Sequence, residues 1–480
     1  MPAFPDVPPT PPQAPPASTL RAALEAALAP GAVLSGDDVT GRDPGWHPDN
    51  LRAGLMVRPS STAEVARVLD VARRHGASVV PQGGRTGLVG GTVSAPGQII
   101  LSTERLARIR QIDPDTRVAV VEAGVTLAAL QDAAAAHGLE PGIDIAARGS
   151  ATIGGMISTN AGGMTAHRHG VMRHRVLALE AVLPDGRVLS DLAPVIKAAT
   201  GPDPRHLLVG AEGTLGIVTA AALRLEPAAP AHATALLALR DLEAVPAALA
   251  GVLRPDAGHL HAAELMTARH LAFMQEAHGH SLGPVGQAGG AYLLVALAGP
   301  APAPLQEALE GLAAALYEGG AVVDALIATS GAQAERLWAL REDTGAISQR
   351  FGGAAGFDVS VPVSALSGYI RAVDAGLAAV EPGLGAFVFG HVADGNLHIV
   401  LDRPEPFPEG LRQRIEAAIY GPLGAVGGVF SAEHGIGSKR VGHLMSRGDP
   451  VRLAVMAQIK AALDPDGLMN PGKVLPVAGA

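Results

Sequence analysis

Three glycine-rich loops in the first half of the chain restrict its fold more than any other feature. PQGGRTGLVGG, residues 81–91, carries five glycines directly after the strand-like ASVVP. RGSATIGGMISTNAGG, residues 148–163, alternates Gly154, Gly155, Gly162 and Gly163 with the small polar side chains of Ser150, Ser158, Thr159 and Asn160. GAEGTLGIVT, residues 210–219, adds Glu212, Gly213 and Gly216. A glycine weakens regular structure by about 0.5–1 kcal/mol relative to alanine unless the backbone must approach something closely. Loops of this kind let several N–H groups converge on anionic oxygens, which suits a diphosphate. The first loop lacks both the Lys-Ser/Thr ending of a Walker loop and the G-x-G-x-x-G spacing of a Rossmann site. Alone it reads equally as a nucleotide site or a structural turn; three such loops in one region favour a long ligand lying across them.

Around these loops the patterning is α+β. STAEVARVLDVARRHG places Val65, Val68, Leu69 and Ala72 on one helical face, with Ser61 and Glu64 spaced as a capping box and Gly76 at the C-terminal end. RVAVVEAG alternates Val118 and Val120 ahead of a second helix ending near Gly138. After LRLEP, at 223–227, the chain turns rich in Ala, Leu and Pro, which sets a domain boundary near 228. The reading is a tail over 1–17 with eight prolines, a domain over 18–227, a second over 228–430, and a C-terminal segment over 431–480. No fixed repeat period is visible.

Composition removes several function classes. The 480 residues are 48% apolar and 17% charged, enough to bury large cores. With 45 acidic against 36 basic residues, and no run of Lys and Arg interleaved with aromatics, nucleic acid is not an expected partner. The absence of cysteine excludes disulfides, thiol catalysis, iron–sulfur clusters held by this chain and sulfur-linked flavin, so redox chemistry must use a bound organic cofactor. No uninterrupted apolar stretch of membrane-spanning length and no signal-like N-terminus is apparent, and the expected location is the cytoplasm.

In order and spacing, the three loops resemble the flavin domain of the vanillyl-alcohol oxidase superfamily, and LDPDGLMNPGKVLP (463–476) resembles its closing motif. The likeness spans roughly residues 50–476. It implies a two-subdomain FAD-binding domain within residues 20–227 and an α+β substrate domain with an antiparallel sheet. It also implies that Pro81, Gly83, Gly84, Arg85, Thr86 and Gly87 surround the FAD pyrophosphate. Ser150, Gly154, Gly155, Ser158, Gly162, Glu212, Gly213 and Ile217 would line the rest of the cofactor, with Asn470 near the isoalloxazine. Members that attach flavin through histidine carry one in the first loop; PQGGRTG has none, so non-covalent FAD is expected.

In the C-terminal half, FVFGHVADGNLHIVL (387–401) has two apolar runs around Asp394-Gly395, a dipeptide favoured in two-residue hairpins. That register pairs His391 with His398, with Cβ atoms about 4.5–5.5 Å apart on one face. The pair suits a shared metal, but for an arbitrary pair two satisfied polar residues on a half-exposed hairpin are the commoner arrangement. A third ligand would decide between them, and the candidate segment is SAEHGIG (431–437): if extended, it directs Glu433 and His434 to opposite sides, so that one could bind metal while its neighbour faces substrate.

Together these segments resemble the D-2-hydroxyacid dehydrogenase branch, which includes D-lactate dehydrogenase, D-2-hydroxyglutarate dehydrogenase and the glycolate oxidase flavin subunit. The resemblance implies His391, His398 and Glu433 as ligands of a divalent ion, commonly zinc. It makes His434 the base that takes the substrate hydroxyl proton as hydride passes to the flavin. Arg341, in LWALREDTGAI, occupies the family's arginine position and would bind the substrate carboxylate; otherwise it is a surface helix charge.

Two departures bear on the substrate. Gly356 stands where the family often has lysine, and Val400 where hydroxyglutarate enzymes tend to have asparagine. Both losses favour lactate, glycolate or a more apolar acid over a dicarboxylate, whereas the DIAARGS loop resembles the hydroxyglutarate branch. The implied electron acceptor is a quinone, an electron-transfer flavoprotein or a partner subunit, and a homodimer is left open. A metal hydrolase using the same histidines, and a flavoprotein subunit that only relays electrons, are the rival readings.

Overall fold

The computed structural model describes residues 17–193, 195, 197, 199–254 and 258–477; the proline-rich tail lies outside the described residues up to position 16. Two compact units are present. The first comprises the described parts of Met1–Gly162, His169–Ala228 and Glu433–Ala480, and the second Gly163–Arg168 and Ala229–Ala432.

The first unit contains two sheets. One has four strands in the order Val33–Ser35, Leu55–Val57, Ile99–Ser102, Val79–Gln82, the last three parallel. The other has five antiparallel strands in the order Ile109–Asp113, Val118–Glu122, Ile217–Arg224, Val176–Val182, Val188–Asp191. The helix Thr62–Arg74 buries Val65, Val68, Leu69 and Ala72 in a core that takes Val79, Ile99 and Leu101 from the first sheet and Val182 and Ile217 from the second.

The Ser61 hydroxyl caps that helix by accepting from Glu64 N at 3.2 Å, and Gly76 follows it at φ +61°. The capping box closes differently from its expected form. The Glu64 carboxylate accepts from the Ser60 amide (2.7 Å) and hydroxyl (2.9 Å), one residue upstream, where a second serine offers two donors instead of one. On Val118–Glu122 the larger core lies under Ala119 and Val121. Val118 and Val120 face a small cluster with Ala178 and Ala222, so both sides of the strand are covered.

The second unit is built on a seven-stranded antiparallel sheet. Its order is Val322–Ile327, Ala231–Leu239, Ala291–Gly299, His259–Thr267, Ala386–His391, Asn396–Pro404, Ala354–Ser360. One face packs on the helices Val245–Val252, Pro302–Glu318, Leu366–Val380 and Glu409–Tyr420, the other on Ala268–His278, Gly331–Glu342 and Gly345–Arg350. With helices on both faces, the central strands read as nearly unbroken apolar runs, such as AYLLVALAG over Ala291–Gly299, every residue of which is buried.

The stretch Val363–Val380 reaches 18 residues at a mean hydropathy of 1.2. Its Leu366, Tyr369, Ile370, Val373 and Leu377 are buried in the core of this unit, while Arg371 and Asp374 interrupt the other side. It is an amphipathic core helix. Gly163–Arg168 joins this unit through Met164, which packs with Ala262, Ala296 and Trp338.

Candidate active site

In the first unit the three glycine loops meet around a cleft of 290 Å³. Its walls include Pro81, Gly83, Gly84, Arg85, Thr86 and Gly87 from the first loop, and Gly154, Gly155, Ser158 and Gly162 from the second. Glu212, Gly213 and Ile217 come from the third, and Glu433 and His434 from the C-terminal segment. Ser150 and Asn470 are not part of this lining.

The loops touch so closely that Gly83, Gly84 and Gly213 have no room for a side chain. A Cβ on Gly84 would lie 1.9 Å from Ser150 O, and one on Gly83 would lie 2.2 Å from Thr152 Oγ1. Gly213, at φ +73°, packs against the Pro81 ring, where a Cβ would fall 2.9 Å from Cγ. Gly84→Ala must therefore push the second loop away from the first. The expected result is purified protein with a reduced flavin-to-protein absorbance ratio at unchanged secondary structure, read by absorbance and far-UV circular dichroism.

Glu212 and Asn470 hold this assembly together. The Glu212 carboxylate accepts from the amides of Ile436 (2.7 Å) and Gly437 (2.8 Å), fixing the turn that follows His434. Burial pushes the Glu212 pKa up, against the downward pull of those two amides and of Arg440 and Lys473. Asn470 donates through Nδ2 to Gly91 O (3.0 Å) and Glu212 O (2.8 Å), and its amide donates to Val79 O (2.8 Å). Its Oδ1 is buried without a hydrogen-bond partner, as is Gln82 Oε1. Two orphaned acceptors beside a cradle of glycines are what a polar cofactor with N–H and O–H donors would satisfy. The residues present fit FAD.

Residues 431–437 form bends instead of the expected extended strand. Glu433 and His434 consequently do not diverge: Oε1 and Nε2 are 3.9 Å apart, and both residues line the cleft. Gly435 and Gly437, at φ +84° and +51°, turn the chain there in conformations that side chains rarely adopt.

The second unit holds His391, His398 and Arg341. The two-residue hairpin expected at Asp394-Gly395 is not formed. Val392–Asp394 is a 3₁₀ turn, Gly395 follows at φ +77°, and the register places Phe389, not His391, opposite His398. The longer connection is held by Asn396, whose Nδ2 donates to Asp358 Oδ1 (2.8 Å) and Val359 O (2.9 Å). The imidazoles nevertheless converge, with ring centroids 5.4 Å apart and planes at 89°.

Two buried carboxylates flank the histidines. Glu264, on the strand His259–Thr267, is directly opposite His391, whose Nδ1 lies 2.8 Å from Glu264 Oε1. Glu264 Oε2 is 2.6 Å from Arg341 Nη2. Burial works to raise the Glu264 pKa, but the charges of His391 and Arg341 more than offset it and hold the carboxyl below its ordinary value. Asp358, opposite His398, lies 4.0 Å from His398 Nδ1 and accepts from the Ala432 amide at 2.9 Å.

Arg341 is not a surface charge. It is 6% exposed, its guanidinium lies 4.9 Å over the Phe389 ring, and its Nε is buried without an acceptor. Close by, burial and the Arg341 charge push the His270 pKa down to about 3, so this imidazole is neutral. Glu264 was not among the residues singled out from the sequence. The signal for it was a lone acid inside the apolar run LHAAELM.

A glycine-lined cofactor cleft in the first unit and a seven-stranded antiparallel sheet in the second define a flavoprotein oxidoreductase architecture. Solved structures agree at the level of fold. p-Cresol methylhydroxylase superposes with a TM-score of 0.74 at 17% identity, covering 96% of this chain and 97% of its own. Alkyldihydroxyacetonephosphate synthase gives 0.70 at 16%, covering 97% and 87%.

Residues 228–474 match the family described as FAD linked oxidases, C-terminal domain, and residues 53–191 match the FAD binding domain. D-2-hydroxyglutarate dehydrogenase of Xanthomonas citri pv. viticola is 37% identical, over 89% of this chain and 90% of that protein. The mitochondrial D-2-hydroxyglutarate dehydrogenase of Arabidopsis thaliana is 33% identical, over 88% and 75%. The chain belongs to the FAD-linked oxidase family.

Proposed function

We propose that the protein oxidises a D-2-hydroxy acid to the 2-oxo acid, with D-2-hydroxyglutarate the first candidate substrate. The observation that carries this reading is Arg341, a buried guanidinium with an unused donor, in the same unit as the converging pair His391 and His398. A buried cation with donor capacity to spare suits a carboxylate, and two imidazoles at this separation suit a divalent ion. The names of the relatives support the substrate.

Bound FAD supplies the hydride acceptor, and a divalent ion, zinc in this proposal, supplies a Lewis acid for the substrate oxygens. His391, His398 and Glu433 would hold the ion. Arg341 binds and orients the substrate carboxylate, and His434 accepts the hydroxyl proton on an imidazole nitrogen. The glycines of the cleft bring backbone donors to the pyrophosphate. The proposed electron acceptor is a quinone, an electron-transfer flavoprotein or a partner subunit, and the proposed location is the cytoplasm.

The test is anaerobic bleaching of the flavin absorbance at about 450 nm with D-2-hydroxyglutarate, D-lactate, glycolate and the L-enantiomers, before and after chelation. Bleaching by a D-acid, abolished by the chelator and restored by zinc, is expected. A flavin that no hydroxy acid reduces with metal present refutes the proposal in favour of an electron-relay subunit.

One observation favours a second reading, a less polar D-acid. Gly356 and Val400, the two departures from the family pattern, are directly opposite each other on neighbouring strands, and Phe387 is opposite Val400 on the other side. Both missing polar groups thus come from one cross-strand site, leaving it apolar. A Cβ on Gly356 meets nothing within 4 Å, so a side chain can be added there. Gly356→Lys with Val400→Asn is expected to raise the kcat/KM ratio of D-2-hydroxyglutarate over D-lactate by roughly 10–100-fold, the worth of one charge-assisted contact. Steady-state kinetics on both acids checks it, and an unchanged ratio removes this pair from substrate selection.

A further inference from the structure

We propose that Glu264 is a positioning residue for both halves of the substrate site: it fixes the His391 ring through Nδ1, and it holds the Arg341 guanidinium for the substrate carboxylate. This rests on the reading of His391 as a ligand and Arg341 as the anion anchor.

Glu264 is 1% exposed in a strand flanked on both sides within the sheet, a place where an ionised carboxylate is expensive to desolvate unless it is paired. Its two oxygens go to different partners, Oε1 to His391 Nδ1 at 2.8 Å and Oε2 to Arg341 Nη2 at 2.6 Å. The strand register sets the first contact, since Glu264 and His391 are cross-strand neighbours. The second reaches to the helix Gly331–Glu342 on one face of the sheet.

An ionised carboxylate only accepts, so the 2.8 Å contact makes Nδ1 of His391 the donor. A ligand histidine that donates its other N–H to a carboxylate is oriented and made more basic, and loss of such a partner costs roughly 10–100-fold in metal affinity. Phe389 confines Arg341 from the ring face, so Glu264 and Phe389 together leave the guanidinium little freedom. The competing role, neutralising a buried arginine and nothing more, predicts no effect on metal.

The FAD-loaded protein is stripped of metal and titrated with Zn²⁺ against a chromophoric chelator. Glu264→Gln is expected to bind Zn²⁺ about 10–100-fold more weakly at unchanged flavin content. Arg341→Lys, which leaves the Glu264–His391 contact in place, is expected to keep the parent's affinity. At saturating Zn²⁺, Glu264→Gln is also expected to raise the KM for D-2-hydroxyglutarate by about tenfold or more.

Parental Zn²⁺ affinity in Glu264→Gln, an equal loss in both variants, or an unchanged KM overturns the proposal. Parent protein that binds no Zn²⁺ is a different result and overturns the metal reading beneath it. If Glu264→Gln does not fold, Glu264→Asp is read in the same way. One methylene shorter, it keeps the charge but cannot span both partners, and it too is expected to lose affinity.

Discussion

Replacing His434 by glutamine is expected to lower kcat by about 10²–10⁴-fold, the usual contribution of a positioned general base, while flavin and metal contents stay at parental levels. The imidazole lines the cofactor cleft, and its backbone is fixed from behind: Glu212 takes the amides of Ile436 and Gly437, and Arg440 Nη1 donates to Gly435 O at 3.3 Å. Glutamine is similar in size and polar, so the cleft wall survives while the proton acceptor is lost. Single-turnover flavin reduction with D-2-hydroxyglutarate is the appropriate measurement, because it sees the chemical step apart from reoxidation. A reduction rate within about tenfold of the parent would exclude His434 as the acceptor.

The second large effect is expected at Arg341. Arg341→Met should lower kcat/KM by roughly 10²–10³-fold, about the worth of two charge-assisted hydrogen bonds to a carboxylate. It should also destabilise the protein by about 3–5 kcal/mol, because removing one member of a buried ion pair strands the other. Glu264, 1% exposed, would keep His391 but lose its guanidinium. The double variant Arg341→Met/Glu264→Gln separates the two consequences: thermal or denaturant unfolding should show much of the stability restored, with activity still lost. A double variant no more stable than Arg341→Met would mean that the pair is not coupled. Normal kinetics in Arg341→Met would place the substrate carboxylate elsewhere.

Much of the first unit was legible in the chain because its determinants are local. The helix Thr62–Arg74 follows from the spacing of Val65, Val68, Leu69 and Ala72 and from a serine cap, all within one stretch of sequence. The glycine loops announced a ligand cleft because glycine is retained where backbones crowd, and Gly84 against Ser150 O shows that crowding. Arg341 could be picked out by motif, but its burial could not. A guanidinium on a helix is ordinarily solvated, and this one is enclosed by Phe389 and Glu264, which are contributed by two different strands.

Where the reading failed, the deciding contacts were distant in sequence. Asp394-Gly395 favours a tight hairpin locally, yet Asn396 is tied to Asp358 and Val359 on the neighbouring strand, which lengthens the turn and moves His391 out of register with His398. Residues 431–437 lack the strand they resemble because Glu212, more than 200 positions earlier, takes the amides of Ile436 and Gly437.

By itself the sequence determined the cofactor class and the glycine cradle, since these depend on residue type and spacing along the chain. Only the tertiary structure decided which carboxylate stands behind His391, what surrounds Arg341, and that Gly356 and Val400 share one cross-strand site. Those relations are set by strand register and by the enclosure of charge in a dry core, and neither is encoded in any short segment.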